Sequence, residues 1–153
     1  MTDKNAPSRR LFGFGHRGRR RLIGPIVSGP ISRVHVSRTA GLANVLINTS
    51  GGLVDIGDYV LFGHDVLLLT GTHDFRITGR GRQLNRQTTN RSIVIEAGVW
   101  IASRAIIIGP CNIGRNAVIG AGCVVDFDVP ADTIIRHRQE ITMDTIKYND
   151  SQP

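Results

Sequence analysis

Cysteine is scarce: the 153 residues include only Cys111 and Cys123. Two thiols twelve residues apart show no zinc spacing, and packing as small buried groups is the expectation. Long apolar runs are also missing. The longest, such as Val66–Leu69 and Ala105–Ile108, fall far below the roughly 18 residues of a membrane helix. Nothing resembles a signal peptide, so a soluble cytoplasmic protein is expected. Acid is almost absent from the first 38 residues, where nine Lys or Arg face the single Asp3; the remainder holds ten basic and eleven acidic residues. The net charge of +7 therefore belongs to the N-terminal arm. Gly, Pro and Arg without periodicity cannot build a core, so the arm reads as a solvated tail or as an anion-seeking one. An anion-seeking arm could touch nucleic acid, an acidic lipid surface or an anionic glycan; weak membrane-surface contact is one expectation, with no specific nucleic-acid partner.

What is abundant is a period of six. From Ile95 to Pro130 run IEAGVW, IASRAI, IIGPCN, IGRNAV, IGAGCV and VDFDVP, each opening with Ile or Val. Their fifth positions, Val99, Ala105, Cys111, Ala117, Cys123 and Val129, are small or slender. A helix would repeat its apolar positions every three to four residues and an ordinary strand every two, so a strict six predicts an all-β parallel β-helix. First and fifth positions would point inward and stack like on like.

A second phase covers Ile56–His73 as IGDYVL, FGHDVL and LLTGTH, with Val60, Val66 and Thr72 at the fifth position. A weaker pair spans Val36–Ile47, with Leu42 and Leu46 in register. Two interruptions separate these blocks, a short one at 48–55 and a long one between His73 and Ile95. Each must leave the coil at a corner and return. The resulting expectation is a basic arm over 1–30, a β-helix over 31–136 with an excursion at 73–94, and a tail or short helix over 137–153.

IGDYVLFGHDVLLLTGTHDF, followed by IVIEAGVWIASRAIIIGPCNIGRNAVIGAGCVVDFDVP, closely resembles the hexapeptide-repeat acyltransferases. That family, which includes sugar and polysaccharide O-acetyltransferases, has a left-handed parallel β-helix. The resemblance implies that His73, in Gly71-Thr72-His73-Asp74, is the general base, a role suited to a group that exchanges protons near neutral pH. It implies acetyl-CoA as co-substrate, with Trp100 lining its channel and backbone groups at Ser103 and Ala121 holding its pantetheine arm. Asn48 and Asp74 become the acceptor-side candidates. No metal is required.

The chain departs from the family where Asp126 and Phe127 replace a usual Thr-Lys pair near the coenzyme phosphates. Phosphate recognition would then shift to Arg136 or Arg138, or to no fixed residue. The long loop carries Arg76, Arg80, Arg82, Arg86 and Arg91. Such forks pair with a phosphate, a nucleotide-sugar diphosphate or a uronic acid on the acceptor, or they solvate the loop. The resemblance implies a homotrimer with sites between prisms, and an O-acetyltransferase acting on a sugar or glycan acceptor. The alternatives are N-acetylation of an amino sugar or nucleotide-amino sugar, and a non-catalytic β-helix scaffold. A γ-class carbonic anhydrase would need three converging histidines, which the spacing does not supply.

Overall fold

The computed structural model describes residues 24–87 and 89–137. The basic arm before residue 24 and the tail beyond residue 137, with Arg138, lie outside the described residues. Five coils stack into a three-faced prism. The first contains β1 (Ile26–Ser28), a short 3-10 turn at Ile31–Arg33, β2 (Val34–Val36) and a bridge at Gly41. The second contains β3 (Leu46–Asn48), β4 (Val54–Ile56) and β5 (Leu61–Phe62).

The third coil opens with β6 (Leu67–Leu69) and then departs. β7 (Thr72–His73), α1 (Gly79–Leu84) and β8 (Arg86–Gln87) lie in the departure, before β9 (Ile93–Ile95) and β10 (Trp100–Ile101) resume the coil. The fourth comprises β11 (Ile106–Ile108), β12 (Cys111–Ile113) and β13 (Val118–Ile119); the fifth comprises β14 (Val124–Val125), a bridge at Val129 and β15 (Ile134–Ile135).

Three parallel sheets form the faces. Face A is β1-β3-β6-β11-β14, face B is β2-β4-β9-β12, and face C is β5-β10-β13-β15. This is the left-handed parallel β-helix implied by the resemblance. The interior is made of the expected positions: Ile95, Ile101, Ile107, Ile113, Ile119 and Val125 are buried, as are Val99, Ala105, Cys111, Ala117, Cys123 and Val129. Stacking like on like keeps each layer the same width, so removal of apolar area from water continues along the prism axis. The two cysteines are free and buried, on different faces.

Two corners are tight, and apart from one residue missing between Leu42 and Val45 they are uniform. Tyr59, Asn116 and Asp132 take positive φ at the corner between faces B and C, and Asp65 and Arg104 do so between C and A. Asn and Asp tolerate that region better than most residues. Side chains tie successive corners together, Asn116 Nδ2 donating to Asp132 Oδ1 at 3.0 Å.

Three expectations need correction. β1 pairs with β3 in register Ile26↔Leu46, so the prism already includes residues 26–28, which the sequence assigned to the arm. Val45 and Ile47, not Leu46, fill the core, because one residue is dropped between Leu42 and Val45 and the strand shifts inward by one. The last upstream hexapeptide ends early: Thr70 is buried, while Thr72 has left the coil to pair antiparallel with Gln87. The excursion accordingly runs from Gly71 to Ser92, and the coil resumes at Ile93.

Candidate active site

The corner between faces A and B is where the coils differ most. From the first residue of the A strand to that of the B strand the chain takes eight residues in coils one and two (26 to 34, 46 to 54), 26 in coil three (67 to 93) and five in coil four (106 to 111). Both phase breaks therefore fall on one corner. Extra backbone there needs partners, and two buried threonines supply them. Thr49 Oγ1 donates to the Pro30 carbonyl at 3.0 Å. Thr70 Oγ1 donates to the Asn48 carbonyl at 2.8 Å and accepts the Gly51 N–H at 3.0 Å.

Stacked insertions leave a cleft of about 430 Å³, lined by Ser28, Gly29, Asn48, Ser50, Gly71, Thr72, His73 and Arg86. Asn48, from the second coil, and His73, from the excursion, are thus brought together. The carboxamide of Asn48 is oriented by three donors to Oδ1: Ser50 N–H at 3.1 Å, Ser50 Oγ at 2.7 Å and Gly71 N–H at 3.0 Å. Nδ2 has no partner among the described residues, which leaves this residue of the cleft lining a free donor group. Gly71 is required by this close approach, because a Cβ there would lie 2.1 Å from Ser50 Oγ and 2.7 Å from Asn48 Oδ1.

His73 is exposed, and its Nδ1 stands 2.7 Å from the carbonyl oxygen of Arg82. A carbonyl only accepts, so Nδ1 carries the hydrogen and the neutral ring keeps its lone pair on Nε2. Arg82 is itself held, Nε donating to the Ile77 carbonyl at 2.6 Å and a terminal nitrogen to that of Phe75 at 3.0 Å. This brace closes the loop around α1, whose six residues bury none of their side chains and would not persist alone.

Asp74 turns elsewhere. Its carboxylate takes a bidentate pair from Arg76, both bonds 2.9 Å, which holds it below the usual carboxylate range. It is not among the residues lining the cleft. The remaining loop arginines divide in the same way: Arg91 Nε donates to the Thr70 carbonyl at 2.8 Å, Arg80 lies on α1 and is not among the lining residues, and Arg86 is.

The coenzyme candidates lie on other parts of the prism. Trp100 is 49% exposed on the outer wall of face C, between Leu61 and Val118 of neighbouring coils. Ser103 and Ala121 occupy the corner between C and A in successive coils; Ser103 accepts the Gly122 N–H at 3.1 Å through its carbonyl and the His64 N–H at 3.1 Å through Oγ. The N–H of Ser103 and both backbone groups of Ala121 have no partner among the described residues. Within one chain face A separates this corner from the His73 cleft, so the two candidate sets do not meet. Asp126 and Phe127 are exposed, and so is Arg136 just beyond β15.

Sequence reasoning missed Ser28, Ser50 and the Arg82 brace. The signal available for the first two was the phase break itself, since residues beside an interruption line whatever it opens. A carbonyl contact nine residues along a loop leaves no sequence signal.

Residues 92–126 match the model of the bacterial transferase hexapeptide family (six repeats). Galactoside O-acetyltransferase of Lactococcus lactis is 35% identical over 81 residues, 52% of this chain and 37% of that protein. Serine acetyltransferase of Buchnera aphidicola is 33% identical over 93 residues, 61% of this chain and 31% of that protein. A maltose O-acetyltransferase from Clostridium difficile 630 superimposes with a TM-score of 0.56 at 28% identity, over 72% of this chain and 57% of that one. The chain thus spans well under half the length of these curated relatives. Residues 92–126 are thus hexapeptide repeats of the bacterial-transferase type, and the prism resembles that of the maltose O-acetyltransferase.

Proposed function

We propose that this protein transfers an acetyl group from acetyl-CoA to a hydroxyl of a sugar or polysaccharide precursor, with His73 as general base. The observation that carries this reading is the hydrogen bond from His73 Nδ1–H to the Arg82 carbonyl, which leaves Nε2 as a fixed acceptor in a cleft of hydroxyl and amide groups. Nε2 takes the proton of the acceptor hydroxyl as its oxygen attacks, and returns it to the leaving group. Asn48 Nδ2 donates to a neighbouring sugar oxygen and sets the angle of approach. The acceptor class follows the galactoside and maltose O-acetyltransferases among the similar proteins.

Acetyl-CoA supplies an activated acyl thioester. The C/A corner suits its arm, because the N–H of Ser103 and the backbone of Ala121 offer unpaired groups to an extended chain of amides, beside the apolar wall at Trp100. Since that wall and His73 stand on separated parts of one prism, a second copy completes the site, and a homotrimer is the closed arrangement. Faces A and C support it: their outward columns are Ile26, Leu46, Leu67, Ile106 and Val124 on A, and Leu61, Trp100, Val118 and Ile134 on C. Face B presents His35, Asp55, Val94 and Asn112 instead.

His73→Ala tests the reading. Turnover, followed as free thiol released from acetyl-CoA with a galactoside acceptor, should fall about a hundred- to ten-thousandfold while coenzyme binding and oligomeric mass hold. Unchanged turnover would remove His73 from the chemistry.

A further inference from the structure

Five arginines enter the excursion, and the fold disposes of them unequally. Arg76 is paired with Asp74, Arg82 with two loop carbonyls and Arg91 with the Thr70 carbonyl. Arg86 differs from these three. It stands directly opposite His73 in the antiparallel ribbon β7-β8, so the two side chains leave the same side of the ribbon. Directly opposed residues have Cβ atoms about 4.5–5.5 Å apart, and both side chains line the cleft. No Asp or Glu is among the lining residues, and among the described residues no carboxylate lies within salt-bridge distance of Arg86.

We infer that Arg86 binds an anionic group on the acceptor, so that the hydroxyl presented to His73 belongs to an acidic sugar, one bearing a carboxylate or a phosphate on the same or the adjacent ring. This rests on the acyl-transfer reading of the His73 cleft. The guanidinium fork matches the two oxygens of either anion. Asn48 Nδ2 adds a second donor whose direction is fixed from behind by Ser50 and Gly71. Donors therefore dominate the fixed groups of the cleft, and His73 Nε2 is the acceptor reserved for the reacting hydroxyl. A neutral sugar would satisfy Asn48 and leave the charge of Arg86 without a counter-ion.

The full chain is assayed with three acceptors: methyl galactoside, methyl galacturonide and galactose 6-phosphate. Thiol release from acetyl-CoA gives kcat/KM, and calorimetry without coenzyme gives acceptor affinity. At least one anionic acceptor should be preferred over the neutral one by about ten- to a hundredfold in both readouts, the range of a charge-assisted hydrogen bond in a partly screened site. Galacturonide against sugar phosphate then identifies the anion. Arg86→Gln should bring the ratio to about one, and Arg86→Glu should push it below one, two variants whose folding is checked by circular dichroism.

A wild-type ratio near one, an unchanged ratio in Arg86→Gln, or no binding of either anionic acceptor at millimolar concentration overturns the assignment. Turnover of the neutral galactoside with no anionic preference removes only the role of Arg86. Arg86-dependent binding of galacturonide with no thiol released from any acceptor instead removes the acyl-transfer reading and keeps the anion site.

Discussion

The Arg82 carbonyl oxygen lies 2.7 Å from Nδ1 of His73, across nine residues of a loop that belongs to no coil. One backbone atom selects the tautomer of the ring and so decides which nitrogen faces the cleft. The Arg82 side chain makes that atom stationary, bonding to the Ile77 and Phe75 carbonyls on the opposite side of the same loop.

Arg82→Ala is therefore expected to lower kcat about tenfold, with KM for acetyl-CoA unchanged, because the imidazole loses its orientation while the coenzyme wall is untouched. Arg82→Lys should recover part of the rate, and Arg80→Ala, on the same helix, should match the parent. Steady-state kinetics of the three variants separate positioning from general damage to the loop. Equal losses in Arg80→Ala and Arg82→Ala would refute the brace.

Asn48 offers a split between stability and binding. Asn48→Asp keeps an acceptor for Ser50 and Gly71 but loses the Nδ2 donor, so KM for the sugar should rise by about tenfold with little change in Tm. Asn48→Ala removes the acceptor and leaves those N–H groups unsatisfied. It should cost about 1–3 kcal/mol in chemical denaturation besides the loss of acceptor binding.

Glu96 ties the third coil to the fourth. Oε1 accepts Asn112 Nδ2 at 3.1 Å and Oε2 accepts the Arg115 N–H at 2.9 Å, and these bonds, Asn112 first, hold its carboxyl below the ordinary range. A folded pKa below the unfolded one means that the contribution is present above the ordinary glutamate pKa and disappears as pH falls through the folded value. Glu96→Gln should accordingly narrow the difference between urea midpoints measured at pH 7 and pH 3. An identical acid response in variant and parent would show that the contact is not linked to folding.

Burial, with Asp128 and Asp126 nearby, pushes the Cys111 thiol up to about 11. At pH 8 only about one part in a thousand is thiolate, and iodoacetamide should leave Cys111 unmodified in the native protein. Mass spectrometry after guanidinium treatment should find both thiols alkylated. Cys111→Ala should retain turnover, as expected of an acyl transfer with no thiol intermediate.

The repeat made much of the fold readable, because an inward residue must recur at fixed spacing to stack on itself. Ile95 through Val129 fall where that rule puts them. It misjudged Leu46, since one deleted residue reverses inside and outside, and a two-sided apolar strand gives the sequence no means of marking the slip. Leu46 and Ile47 are equally apolar, and only pairing with β6 decides between them.

Phase within an unbroken run is a local property, and there the sequence by itself determined it: a stacked prism with two insertion breaks, the second beside His73. Where those breaks sit around the prism is not local, because it depends on how many residues each preceding side consumes. Only the tertiary structure placed both at the A/B corner, set Asn48 and His73 around one cleft, committed Arg76, Arg82 and Arg91 to the loop, and put Arg86 beside the cleft. It also kept Trp100 and Ser103 away from that cleft within a single chain, because a prism presents its three faces in three different directions.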